Sequence, residues 1–235
     1  MDLASENADR GLQIIVKLAN IELTPEKPSY DGGSWHVEGA LNERIVATYL
    51  YYYSSTNITT SALSFRQSSN TRNFDDFEYE QDRHQFLPQV FGVRNQEHGM
   101  QTLGSVETRQ GRFLAFPNTL QHRVEPFSLD DKSKPGHRKI LALFLIDPNC
   151  RAVSTKDVPC QRADWWGETV AKYRVGRLAR LPNEIFDMIV GHMKEFTFSM
   201  DEAKEIREKL MEERTAFSDH VNHNLESLHF NLCEH

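Results

Sequence analysis

An imidazole and a carboxylate stand two residues apart in the stretch GGSWHVEG, as His36 and Glu38. Alternate residues of a strand share a face, so both project the same way with Cα atoms roughly 6.5–7 Å apart, close enough to converge on one cation. An oxidative metal site wants a third protein ligand and open positions, and His122, which opens a strand directly after the turn-like FPNTLQ, is the natural third. Two histidines and one carboxylate on one face of the coordination sphere suit non-haem Fe(II). Arg138 begins the last strand, after the loop SLDDKSKPGH. A permanently charged guanidinium grips a carboxylate in two-pronged fashion, here the far end of a dicarboxylate cosubstrate. Its neighbours His137 and Lys139 fall on the other face by alternation.

Those residues need a β-scaffold, and the chain supplies one. Strand signals, rich in β-branched and apolar residues, recur at 12–23, 33–39, 45–54, 62–67, 102–109, 112–117, 121–127 and 138–147. Eight short strands predict a mainly β sandwich or jelly roll, with Gln110-Gly111 as a tight hairpin. Residues 68–101 form a long polar insertion, a lid or binding loop with a short helix over 83–91. Beyond Pro148 the pattern turns helical: Leu181-Pro182 opens a helix, and Ser199-Met200-Asp201-Glu202 has the form of a capping box. The expected organisation is a β-core over 1–148 and a helical extension over 149–235 packed on it.

Composition narrows the function classes. A net charge of −7 argues against nucleic acid or anionic membrane as partner. The longest apolar run, 140–146, is strand-length and far short of a membrane span, and the N-terminus lacks a signal-peptide core. Cys150, Cys160 and Cys233 are odd in number and lack CxxC spacing, which fits reduced thiols and a cytoplasmic location.

Other residues carry weaker signals. Asn42, Tyr49, Tyr51 and Tyr53 follow the HVE segment, and Asn42 and Tyr51 are the candidates to hydrogen-bond a cosubstrate, although an alternating aromatic row also packs. Trp35 points away from His36 and is expected in the core, and Arg66 is expected as an exposed strand arginine. His220 and His223, with His229, Cys233 and His235 nearby, make a second cluster with no familiar zinc spacing. The acidic run 75–80 lacks the calcium-loop pattern.

The order HVE, His122, Arg138 resembles the Fe(II)/2-oxoglutarate-dependent oxygenases, whose double-stranded β-helix presents H-x-D/E, a distal histidine and a basic residue in that succession. The chain is most similar to the DUF4246 family, a largely fungal family of uncharacterised proteins. The likeness runs through KLANIELTPEKPSYDGGSWHVEGALNERIVATYLYYYSS, FPNTLQHRVEPF, GHRKILALFLIDP and the terminal NLCEH. The resemblance implies a cupin-like jelly-roll core in which His36, Glu38 and His122 hold Fe(II) while Arg138 pairs with 2-oxoglutarate. It implies a small-molecule substrate oxidised with O2, with succinate and CO2 as co-products. Glutamate stands where aspartate is commoner, so an extra methylene must be absorbed. Members of the family are longer at the N-terminus, so elements lining the substrate pocket are expected to lie partly outside this chain. Two other classes fit the same residues: a cupin-type metalloenzyme without 2-oxoglutarate, and a non-catalytic binding protein with a relict metal site.

Overall fold

The computed structural model describes residues 2–69, 78–158, 160–173, 176–192, 197–227 and 232. The chain divides into two compact units, Met1–Ala152 with Phe217–His235, and Val153–Ala216. The first unit runs to Ala152 and takes in residues 217–235, and the second spans 153–216.

In the first unit a four-residue helix α1 (Leu3–Glu6) precedes nine strands: β1 (Ile14–Leu23), β2 (Ser29–Tyr30), β3 (Ile45–Thr56), β4 (Ala62–Ser68), β5 (Met100–Glu107), β6 (Phe113–Pro117), β7 (Gln121–Val124), β8 (Phe127–Ser128) and β9 (Gly136–Ile146). Every pairing between these strands is antiparallel, in sheets ordered β1-β9-β3-β6, β5-β4-β7 and β2-β8. The architecture is thus mainly β, with the longer helices in the C-terminal third.

Period-two burial shows which side of the four-stranded sheet is the core. On β9 the even positions Arg138, Ile140, Ala142 and Phe144 are buried. On β3 Thr48, Leu50 and Tyr52 are buried, and a register shift after Tyr52 brings Ser55 opposite Arg138. Leu63 and Phe65 on β4 and Phe116 on β6 join Leu50, Tyr52, Ile140, Ala142 and Phe144 in one cluster, so the inner faces of the two larger sheets share a core. Gly136 lets the start of β9 run close to the end of β3, because a Cβ there would press on the carbonyl oxygens of Thr56 and Asn57. The opposite face of the four-stranded sheet is also apolar, and Val16, Leu18 and Phe113 on it stay exposed.

Three local expectations change. Residues 33–39 form no regular strand; a single antiparallel bridge joins His36 to His122. Gly39, at a φ of +69°, turns the chain immediately after Glu38, a conformation that favours glycine. Gln110-Gly111 is no hairpin tip, since β5 and β6 lie in different sheets. The Gly111 and Tyr52 backbones instead bond across it, Gly111 N to Tyr52 O at 2.7 Å and Tyr52 N to Arg112 O at 3.0 Å, so the crossing is tied to β3. In the insertion, a single π-helical turn (Leu87–Phe91) replaces the expected short helix. Leu87 and Val93 bury against Leu232 from the C-terminal tail.

The second unit holds α2 (Ala163–Lys172), α3 (Asn183–His192) and the first part of α4 (Met200–Ser227). The capping box at the start of α4 is formed as expected: Ser199 N donates to Glu202 Oε2 at 2.8 Å and Glu202 N to Ser199 Oγ at 3.2 Å. Among the described residues no helix is long and apolar enough to cross a membrane.

Candidate metal centre

His36, Glu38 and His122 come together, with one donor atom from each lying within 4.8 Å of the others. They are the one such His/Cys/Asp/Glu group among the described residues. Glu38 Oε1 faces the Nε2 atoms of both histidines, at 3.3 Å from His122 and 3.9 Å from His36. The longer arm of glutamate therefore reaches both rings. The bridge between His36 and His122 bonds each backbone N–H to the other's carbonyl, at 3.1 and 2.9 Å, and sets the two ring centres 4.4 Å apart with their planes tilted by 50°.

The sequence next to each ligand explains how it is held. Asn118, in the FPNTLQ turn, accepts from Glu38 N with its Oδ1 at 2.8 Å and donates from Nδ2 to Glu38 O at 2.9 Å and Ile45 O at 3.0 Å. One amide thus ties the carboxylate-bearing segment to the start of β3. His36 Nδ1 lies 2.8 Å from Ser34 O. A carbonyl can only accept, so the proton sits on Nδ1 and leaves the Nε2 lone pair for a ligand role. His122 is almost fully buried against Phe65 and Phe116, and its Nδ1 has no hydrogen-bond partner among the described residues.

The electrostatics suit a cation. Burial, and then the neighbouring His122, hold His36 below the ordinary imidazole value, which keeps it neutral at neutral pH. Burial works against charge on Glu38, but a hydrogen bond from His122 and the electrostatic influence of His122, His36 and Lys17 outweigh it and leave the carboxyl below its usual range. An ionised carboxylate beside a neutral imidazole with a free lone pair, both converging, fits a divalent metal of borderline softness.

Arg138 is the second feature. It is completely buried, and among the described residues no carboxylate pairs with it. Its Nη1 donates to Ser61 Oγ at 3.1 Å and Thr108 Oγ1 at 3.4 Å, while Nε and Nη2 have no hydrogen-bond partner among the described residues. Its guanidinium lies 4.9 Å from the Phe127 ring centre and 5.6 Å from that of Tyr52. Burial lowers its hold on the proton below the ordinary arginine value. The Tyr52 hydroxyl, also buried and without a hydrogen-bond partner, is pushed up to about 12, mainly by burial, and stays a neutral donor. Buried polar groups are normally satisfied. Here the unsatisfied guanidinium and phenol sit on the same inner face of β9 and β3.

The remaining candidates separate cleanly. Tyr51 lies on the opposite face of β3 and is 40% exposed, and Tyr49 and Tyr53 share that face. Tyr52 is the tyrosine that points inward, and the aliphatic Leu50 on its face was the signal that could have found it. Asn42 is exposed in a 3-10 turn (Leu41–Glu43). His137 does fall outside the core face, where its Nε2 lies 2.8 Å from Ser54 Oγ. Arg66 is buried rather than exposed: its Nε donates to Gln121 Oε1 at 2.7 Å and its Nη2 to Glu226 at 2.9 Å. Trp35 lies half-buried beside the guanidinium groups of Arg66 and Arg123, each 4.7 Å from a ring centre, rather than in the core. A cleft of about 460 Å³ opens beside it. His220 lies 3.0 Å from Asn224 Nδ2 on α4, while His229, Cys233 and His235 of the second cluster, and residues 75–77 of the acidic run, lie outside the described residues.

A family model described as "Protein of unknown function (DUF4246)" matches residues 1–169. No curated protein matches the chain. Among solved structures the chain is similar to hydroquinone 1,2-dioxygenase from Sphingomonas sp. TTNP3 with 4-hydroxybenzoate bound, at 10% identity over 62% of this chain and 71% of that one, with a TM-score of 0.26. It is also similar to a structure described as "Bacillus endospore appendages form a novel family of disulfide-linked pili", at 10% identity over 58% of this chain and 92% of that one, with a TM-score of 0.23. Likenesses this distant carry no weight for fold or function.

Proposed function

The chain belongs to the DUF4246 family, and on that footing we propose that it is the double-stranded β-helix core of an Fe(II)- and 2-oxoglutarate-dependent oxygenase acting on a small molecule. The observation that carries this reading is the coexistence of a converging His–Glu–His donor set and a buried guanidinium that pairs with no carboxylate among the described residues. In this reading His36, Glu38 and His122 hold the metal. Arg138 and the Tyr52 hydroxyl receive the far carboxylate of 2-oxoglutarate, whose oxygens satisfy the idle Nε, Nη2 and phenol donors.

When bound, Fe(II) with 2-oxoglutarate and O2 supplies an oxidative decarboxylation that places one oxygen atom in succinate and the other on the substrate, with release of CO2. The protein's own part is orientation and shielding. Asn118 fixes the backbone that carries Glu38, and Ser34 O sets the His36 tautomer. Ser61 and Thr108 hold the Arg138 fork from one side and leave its other donors free. Phe65 and Phe116 keep water from the inner flank of His122.

Anaerobic titration with Fe(II) and then 2-oxoglutarate tests the reading. A visible charge-transfer band is expected in the wild-type protein, no Fe(II) binding in His122→Ala, and Fe(II) binding without 2-oxoglutarate binding in Arg138→Met. The absence of any band and of any effect of His36→Ala would overturn it. If Arg138→Met kept full 2-oxoglutarate affinity, the site would be a metal centre of another class.

A further inference from the structure

Resting on the metal reading above, we infer that Asn222, near the C-terminal end of α4, is a positioning residue that holds both histidine ligands from behind. On β7 alternation places Gln121 on the face opposite His122. Trp35 precedes His36, and Gln121 precedes His122. Asn222 bonds to both: its Nδ2 donates to Trp35 O at 2.5 Å, and its Oδ1 accepts from Gln121 Nε2 at 2.8 Å.

The first bond matters because of where the Trp35 carbonyl sits. It belongs to the same peptide group as the His36 N–H, which donates to His122 O at 3.1 Å. Both ends of that rigid plane are therefore anchored, one to the partner ligand and one to α4. No regular strand supports the segment, so these two bonds set the direction in which His36 leaves the backbone. Asn222 itself is braced. Gln121 Oε1 accepts from Arg66 Nε, Arg66 Nη2 pairs with Glu226 one helical turn beyond Asn222, and the Arg66 guanidinium stacks on Trp35. The ring of contacts closes on the two residues that precede the ligands, and none of its side chains touches the donor atoms. Groups that orient ligands from outside the coordination sphere change metal affinity by about 10–100-fold.

The test is anaerobic titration of the full chain with Fe(II), and with Co(II) to read the visible d–d bands, for wild type, Asn222→Ala and Asn222→Asp. Asn222→Asp is nearly isosteric and keeps the acceptor for Gln121, but it has no N–H for Trp35 O. Both variants are expected to bind metal about 10–100-fold more weakly, with altered Co(II) bands and an unchanged metal-free far-UV spectrum. Glu212→Gln, at an exposed position of α4 outside this ring of contacts, is expected to bind as wild type does. Should Asn222→Ala fail to fold, Asn222→Asp decides. Wild-type affinity and bands in Asn222→Asp would overturn this inference alone, whereas a wild-type chain that binds neither metal would overturn the metal reading and this inference with it.

Discussion

Arg138 shows how a single residue can be costly to the fold and informative about function. A buried charge without a counter-ion is destabilising, and replacing buried ionic groups with apolar ones of similar volume often stabilises by about 1–4 kcal/mol. Ser61 and Thr108 bond to each other as well as to Arg138, so they keep partners when the guanidinium is gone. Arg138→Met is therefore expected to raise the thermal midpoint of the ligand-free protein while abolishing any stabilisation by 2-oxoglutarate. In the wild type that stabilisation is expected to reach about 2.7 kcal/mol at a hundredfold excess over Kd. Calorimetry with and without the dicarboxylate checks both halves. A second prediction concerns pH. His36 is held below its ordinary value, so between its folded value and about 6.5 the unfolded chain binds more protons and stability falls on acidification. The Glu38 carboxyl is also lowered; its contribution is present above about 4.3 and is lost as pH falls through the folded value. The two act in the same direction, so the urea midpoint of the metal-free protein is expected to drop from pH 7 towards pH 3, and Glu38→Gln should flatten the part of that curve below about 4.3.

At the scale of elements, the candidate metal site depends on a segment that is not itself an element. Residues 33–39 look like a strand by composition, yet they are tied by the His36–His122 bridge, by the Gly33 N–H to Val124 O, and by side-chain clasps. Asn118 is one such clasp. Loss of its three side-chain bonds in Asn118→Ala is expected to cost about 1–3 kcal/mol in chemical unfolding and to weaken Fe(II) binding about 10–100-fold. The turn character of FPNTLQ was legible, but the partner of its asparagine was not, since Glu38 lies 80 residues away in sequence. The same limit explains the hairpin expected at Gln110-Gly111. Local turn chemistry indicates that the chain reverses there, whereas the choice of strand partner rests on long-range pairing with β3. The three alternating tyrosines of β3 mislead for a related reason: two faces of a strand can both be apolar when the strand is central, and only the sheet opposite decides which is inner.

For the whole molecule, the C-terminal tail rejoins the β-unit. Leu232 is buried with Leu87 and Val93, so Leu232→Ala is expected to destabilise that unit by about 2–3 kcal/mol in urea unfolding. The outward face of the edge strand β1 is a different case. Val16 and Leu18 are 63% and 70% exposed, so Val16→Lys with Leu18→Lys should change the unfolding free energy by no more than about 0.5 kcal/mol per site while raising solubility. The sequence by itself determined the β-rich character, the helical C-terminal third, the α4 capping box and the identity of His36, Glu38, His122 and Arg138 as the residues to watch. Those follow from local periodicity, short-range capping and the chemistry of side chains. Tertiary structure alone decided that Tyr52 rather than Tyr51 faces inward, that Arg138 and Arg66 are buried, and that Asn118 bonds to Glu38 and Asn222 to Trp35. Each of these depends on which distant backbone or side chain arrives opposite, and a hydrogen bond across 80 or 187 residues leaves no trace in the residues on either side of it.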